Sequence, residues 1–199
     1  MIKKTHSFQH QGETYDVYTL SNGKGSEMDI LTYGARITRL SVPDKTGKLG
    51  DVIVGFAQPE DYVGQITYYG ATIGRYGNRI GGGKFTLNGE TYVLEQNDGN
   101  NTLHGGSSAN FDRQIWDAEI DGEHLVLKHL SPDGAGGFPG NLQVTLTITL
   151  TEENWTGLTD AVEMTGQSVL KLQESVGHLL TDEQMDAKLK EQVQTLLAE

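Results

Sequence analysis

The sequence predicts a mainly β protein, an antiparallel β-sandwich followed by a short C-terminal helical segment. Three observations predict it. In NLQVTLTITL (141–150) the apolar Leu142, Val144, Leu146, Ile148 and Leu150 alternate with Gln143, Thr145, Thr147 and Thr149, the period-two pattern of a strand with one buried and one wetted face. Asn88-Gly89 and Asp121-Gly122 each separate two short apolar runs, and such pairs tolerate the positive φ of a tight hairpin. No stretch before residue 155 carries a helical stripe, so the strands have each other to pack against.

Taken along the chain, Phe85 and Leu87 lead into the first of these turns, and Tyr92 and Leu94 lead out of it. Residues 115–120 and 125–127 form the arms of the second, and 142–150 is the clearest strand. Composition then changes. Every Phe, Tyr and Trp lies at or before Trp155, and beyond it the glycines are Gly157, Gly166 and Gly177. Val162, Val169, Leu172, Val176 and Leu179 fall on one helical stripe. Thr181 with Gln184 reads as a capping box opening a second helix, whose apolar face is Met185, Leu189, Val193, Leu196 and Leu197. The expected organisation is a β-sandwich portion over 1–154 and a helical tail of unrelated character over 155–199. The tail is expected to cover apolar surface of the same chain.

Composition bounds the function. A chain of 199 residues can bury a sizeable core. With 27 acidic against 15 basic residues the net charge is -12, which argues against nucleic-acid and anionic-membrane partners. There is no cysteine, hence no disulfide, thiolate nucleophile or zinc-cysteine site. The N-terminus MIKKTHSFQH has no apolar run behind its lysines, unlike a secretory signal, and a cytoplasmic protein is expected. His124 and His129 have an odd separation in a predicted strand and so face opposite ways. The isolated histidines form no tetrahedral ligand set, and no metal or other cofactor is expected. GGGK (81–84) lacks the spacing of a phosphate-binding loop, and no serine sits in a G-x-S-x-G context.

The residues best suited to chemistry lie in GRYGNRI (74–80) and NNTLHGG (100–106), which place Asn78, Arg79 and His104 on glycine-rich turns. Arginine presents a planar fork of donors to several hydroxyls, and a neutral imidazole exchanges protons near neutral pH. Both suit a sugar cleft. The flanking Gly74, Gly77, Gly105 and Gly106 allow close approach of a ligand.

These motifs, with YGARI (33–37), VPD (42–44), DVIVGF (51–56), YYGATIGRYGNRI (68–80), GKFTLNGETYVL (83–94), FDRQIW (111–116) and GFPGNLQVTLTITLT (137–151), resemble the galactose mutarotase (aldose 1-epimerase) family in order and spacing across residues 1–154. The resemblance implies that family's β-sandwich, here truncated. It also implies a sugar site lined by Asn78, Arg79 and His104, with His104 the candidate catalytic residue. The family's general acid is a second histidine in an NHSYFNL-like segment, and its general base is a glutamate near the C-terminus; neither is recognisable in this sequence. The implied function is an aldose 1-epimerase-like interconversion of the α and β anomers of hexoses such as galactose or glucose, impaired by loss of the C-terminal half. Two alternatives stand beside it: a non-catalytic carbohydrate-binding protein, and an interaction protein with a helical assembly tail. Uncovered strand edges pair with other chains, so self-association is expected.

Overall fold

The computed structural model describes residues 1–152 and the strands Asn154–Glu163 and Ser175–His178. The chain opens as a meander of β1 (Ile2–His10), β2 (Glu13–Ser21), β3 (Glu27–Leu31), β4 (Arg36–Pro43) and β5 (Leu49–Asp51), antiparallel throughout and paired in sequence order. Two short ribbons follow. One pairs β6 (Arg79–Ile80) with β9 (Thr102–Leu103); the other pairs β7 (Lys84–Leu87) with β8 (Glu90–Val93). A second five-stranded meander closes the fold: β10 (Asp117–Asp121), β11 (His124–Ser131), β12 (Leu142–Leu150), β13 (Asn154–Glu163) and β14 (Ser175–His178).

Alternation within the strands makes these two sheets a sandwich. Tyr18, Leu20, Met28 and Ile30 of the first sheet share one buried cluster with Leu125, Leu127, Leu142, Val144, Leu146 and Ile148 of the second. The inward residues of β12 are those the alternation predicts, and the threonines between them are half-buried. On β2 and β3 the opposite face is not left wet. Val17 and Leu31 point the other way, with Tyr15 and Tyr33, into a second cluster capped by Tyr62. Tyr62 ends a 3-10 turn, Pro59–Tyr62, and its hydroxyl accepts the Phe56 N–H at 2.9 Å. Trp116 and Phe111 plug one end of the main core, edge to face at 5.7 Å.

The first predicted hairpin forms as expected, with Asn88 and Gly89 both at positive φ between β7 and β8. The second turns one residue later. Asp121 pairs with His124, so the loop is Gly122-Glu123 with Gly122 at φ 61°; the carbonyl ladder takes Asp121 into the strand.

The C-terminal expectation is corrected where the structure describes it. Asn154–Glu163 is a strand that pairs with β12 from Leu150↔Trp155 to Leu142↔Glu163, and Ser175–His178 pairs with its first residues. The helical stripe began at Val162, whereas Asn154–Glu163 carries two threonines and a glycine, which are poor helix formers. That segment lies beside the open edge of β12, and pairing satisfies both backbones. The expected second helix, with Met185, Leu189, Val193, Leu196 and Leu197, lies outside the described residues, as do Val169, Leu172 and Leu179. Among the described residues no helix is long and apolar enough to cross a membrane.

Candidate functional site

The two glycine-rich motifs meet through the β6–β9 ribbon, in which Arg79 pairs with Leu103 and Ile80 with Thr102. One step beyond, Asn78 and His104 close on each other. The His104 N–H donates to the Asn78 carbonyl at 3.0 Å, and the Asn78 N–H donates to His104 Nδ1 at 2.9 Å. Both residues sit at positive φ, 68° and 54°, an unusual conformation for side-chain-bearing residues, found mostly with Asn, Asp and His. Here the reciprocal hydrogen bonds hold it.

A backbone N–H can donate only to an unprotonated ring nitrogen, so neutral His104 carries its proton on Nε2. Burial first, and the Arg79 guanidinium second, hold the His104 ring below the ordinary histidine pKa. The Tyr68 ring meets it edge-on, with centroids 4.7 Å apart at 64°.

Arg79 is exposed and clamped at one end. Its Nε donates to Asp98 Oδ2 at 2.5 Å, and its Nη1 lies 3.4 Å from Asn78 Oδ1. Among the described residues Nη2 has no hydrogen-bond partner; the Arg79 side chain is 55% exposed, and its charge reaches the His104 ring. The three residues singled out from the sequence are thus brought together on one rim.

Several supporting side chains have no motif of their own. Asn97 imitates a strand partner for Leu103: its Oδ1 accepts the Leu103 N–H at 2.6 Å, and its Nδ2 donates to the Leu103 carbonyl at 3.0 Å. Glu95 Oε2 accepts from Ser107 N, Ser108 N and Ser108 Oγ at 2.8–2.9 Å and pins the loop after His104. Burial would raise the Glu95 carboxyl, but these bonds outweigh it and hold it below the usual range. Asp98, Asn97 and Tyr68 were missed. The Asx-rich QNDGNN (96–101) was the signal for the first two, because such residues hydrogen-bond nearby backbone.

Gly105 explains how tightly the motifs are joined. It sits at φ 92°, and a Cβ there would collide with the Gly74 carbonyl. Beneath the rim, Arg75 is buried and turned away. Its Nε donates to Ser131 Oγ, its Nη1 to the Pro139 carbonyl, and its Nη2 to the carbonyls of Ser131 and Pro132, all at 2.8–2.9 Å.

The other histidines serve elsewhere. His124 Nδ1 lies 2.6 Å from Thr149 Oγ1, while His129 packs against Phe111 and Trp116. Among the described residues no group of three His, Cys, Asp or Glu could hold a metal ion.

Comparison with known proteins adds a lineage to this geometry. A family model described as aldose 1-epimerase matches residues 16–170, past the point at which the motif resemblance stopped. The chain is 42% identical to galactose mutarotase from Sus scrofa over 123 residues, which is 62% of this chain and 36% of that protein. It is 33% identical to aldose 1-epimerase from Escherichia coli over 189 residues, 94% of this chain and 54% of that protein. The crystal structure of galactose 1-epimerase from Lactobacillus acidophilus superposes with a TM-score of 0.69 at 30% identity, covering 82% of this chain and 48% of that one. The chain spans about a third to a half of the length of the relatives it matches.

Proposed function

Because the chain belongs to the aldose 1-epimerase family, we propose that the rim of Asn78, Arg79 and His104 binds an aldohexose such as galactose or glucose. The chain supports interconversion of the α and β anomers at a reduced rate. One observation carries the reading: the Asn78 N–H occupies His104 Nδ1 and leaves Nε2–H as the ring's remaining donor, close to the partly exposed Arg79 guanidinium, whose charge is felt by the ring. Two fixed donor groups side by side match the vicinal oxygens of a sugar ring.

Mutarotation removes the proton of the anomeric hydroxyl while the ring oxygen gains one, so that the C1–O bond of the ring opens and recloses after rotation. It needs a base and an acid, each worth roughly 10² to 10⁴ in rate. A neutral imidazole is a weak acid. His104 in this reading donates a hydrogen bond from Nε2 and stabilises charge at the ring oxygen, with no partner base recognisable in the sequence. A cytoplasmic setting in sugar metabolism, and self-association through open strand edges, belong to the same proposal.

The test is polarimetry on freshly dissolved α-D-galactose and α-D-glucose, with sugar binding followed by NMR. The expected result is binding with weak turnover, and His104→Ala removing what turnover there is. Turnover at the full rate of a complete mutarotase, unchanged in His104→Ala, would overturn it.

A further inference from the structure

We propose that Tyr68 is a positioning residue for His104, and that the buried Arg36 is what holds Tyr68 in place. The proposal rests on reading His104 as a sugar ligand. No sequence motif assigned either residue a part in the site.

The Arg36 side chain is 1% exposed. Its Nη1 donates to the carbonyls of Thr67 and Tyr69, at 3.1 and 2.8 Å, the two carbonyls that flank Tyr68. Nη2 donates to the Asp112 carbonyl at 3.1 Å, and the Asp112 carboxylate lies 3.9 Å away. The guanidinium lies over the rings of Tyr33 and Tyr62. One planar fork thus ties the Tyr68 segment to the 3-10 turn at 111–113 and to the start of β4. Lysine, a point charge on a flexible stem, cannot reproduce that fork.

The backbone reinforces the tie. The Ile37 N–H donates to the Gly70 carbonyl and the Thr72 N–H to the Gly34 carbonyl, both at 2.9 Å. The segment 67–72 is therefore laid flat along the entry to β4, and moving it would strand buried donors on Arg36. Leaving a buried charged group without its acceptors is among the costlier defects in a protein.

What the segment delivers is the Tyr68 ring, edge-on to His104. The Asn78 hydrogen bond fixes one ring nitrogen, but a single bond lets an imidazole rock about it. Tyr68 closes the side of the ring that this bond leaves open, and so sets the direction of Nε2–H. It also excludes water from the ring, consistent with burial as the main cause of the lowered His104 pKa. The charged and titratable groups facing His104 are Arg79 and Tyr68 itself.

The experiment uses the full chain without sugar first. Side-chain ¹⁵N NMR reads the His104 tautomer and its titration in wild type, Tyr68→Phe, Tyr68→Ala and Arg36→Lys. Tyr68→Phe keeps the ring and should leave both unchanged. Tyr68→Ala should move the titration up toward the ordinary value of about 6.5 and mix the tautomers. Arg36→Lys should shift both in the same direction while the fold, checked by amide spectra, persists. If Arg36→Lys does not fold, Tyr68→Ala alone decides. Galactose affinity should then fall roughly tenfold in Tyr68→Ala and stay near wild type in Tyr68→Phe, as expected for a misaimed donor. Unchanged His104 tautomer and titration in Tyr68→Ala would overturn the proposal whatever the sugar does. A shifted titration in a protein whose wild type binds no sugar would uphold the positioning and overturn the sugar reading.

Discussion

Arg75 and Arg79 stand four residues apart in one motif and have opposite fates. Arg75 is buried, and four of its five N–H donors go to Ser131 at the end of β11 and to the carbonyls of Pro132 and Pro139 beyond it. Arg79 is exposed, held at Nε by Asp98 and at Nη1 by Asn78, and keeps Nη2 without a partner among the described residues. A buried guanidinium that spends most of its donors on the protein is structure; an exposed one that keeps some is available to a ligand.

The largest expected effect is on the buried side. Arg75→Ala leaves the Ser131, Pro132 and Pro139 carbonyls without their donor and opens a void, and should cost about 3–5 kcal/mol, read by denaturant unfolding. Arg79→Ala should change stability by less than about 1 kcal/mol, since exposed ion pairs contribute little. A larger loss for Arg79→Ala than for Arg75→Ala would break the comparison.

Gly105→Ala tests the joint between rim and anchor. The positive φ and the collision with the Gly74 carbonyl should together cost about 2–3 kcal/mol in the same unfolding measurement.

On the exposed side the effect is on binding. Arg79→Ala should weaken galactose affinity by roughly tenfold, about 1.4 kcal/mol, and alter turnover at saturating sugar less, because a hydroxyl-binding arginine contributes to ground and transition states alike. Asp98→Asn, which loosens the clamp but keeps the guanidinium, should give a smaller loss by the same titration.

The smallest effect concerns pH. The His104 and His129 rings are both held below the ordinary histidine value, by burial first. The unfolded chain therefore takes up their protons at higher pH than the folded one. Stability should be full above about 6.5, fall as pH drops through the window down to the lowered folded values, and level off beneath them. Unfolding titrations between pH 7 and pH 5 check the slope, and His129→Gln should flatten it.

Much of this was legible in the sequence because it was local. The alternation of 142–150 could only be a strand with one buried face, and Asn88-Gly89 could only be a tight turn. Asn78, Arg79 and His104 carried the family resemblance in their own motifs, and the structure brings them together. The C-terminal part was misread where periodicity was read without a partner. Asn154–Glu163 is a strand because β12 offers it an open ladder, which no window of sequence contains.

The sequence by itself determined the buried face of 142–150 and the Asn88-Gly89 turn, since these follow from side-chain period and from the few residues that accept positive φ, while Asn78, Arg79 and His104 were singled out by their motifs and the family resemblance those motifs carry. Only the tertiary structure decided how Arg75 is buried among its acceptors and how Arg79 stays exposed on its Asp98 clamp. It also decided that His104 keeps its proton on Nε2, and that Asn97, Asp98, Tyr68 and Arg36 hold the rim. Apart from Asn97, which bonds Leu103 six residues on, each of those depends on a hydrogen bond or ring contact between segments well separated in the chain, and such pairings are set by how the chain packs rather than by any residue's own preference.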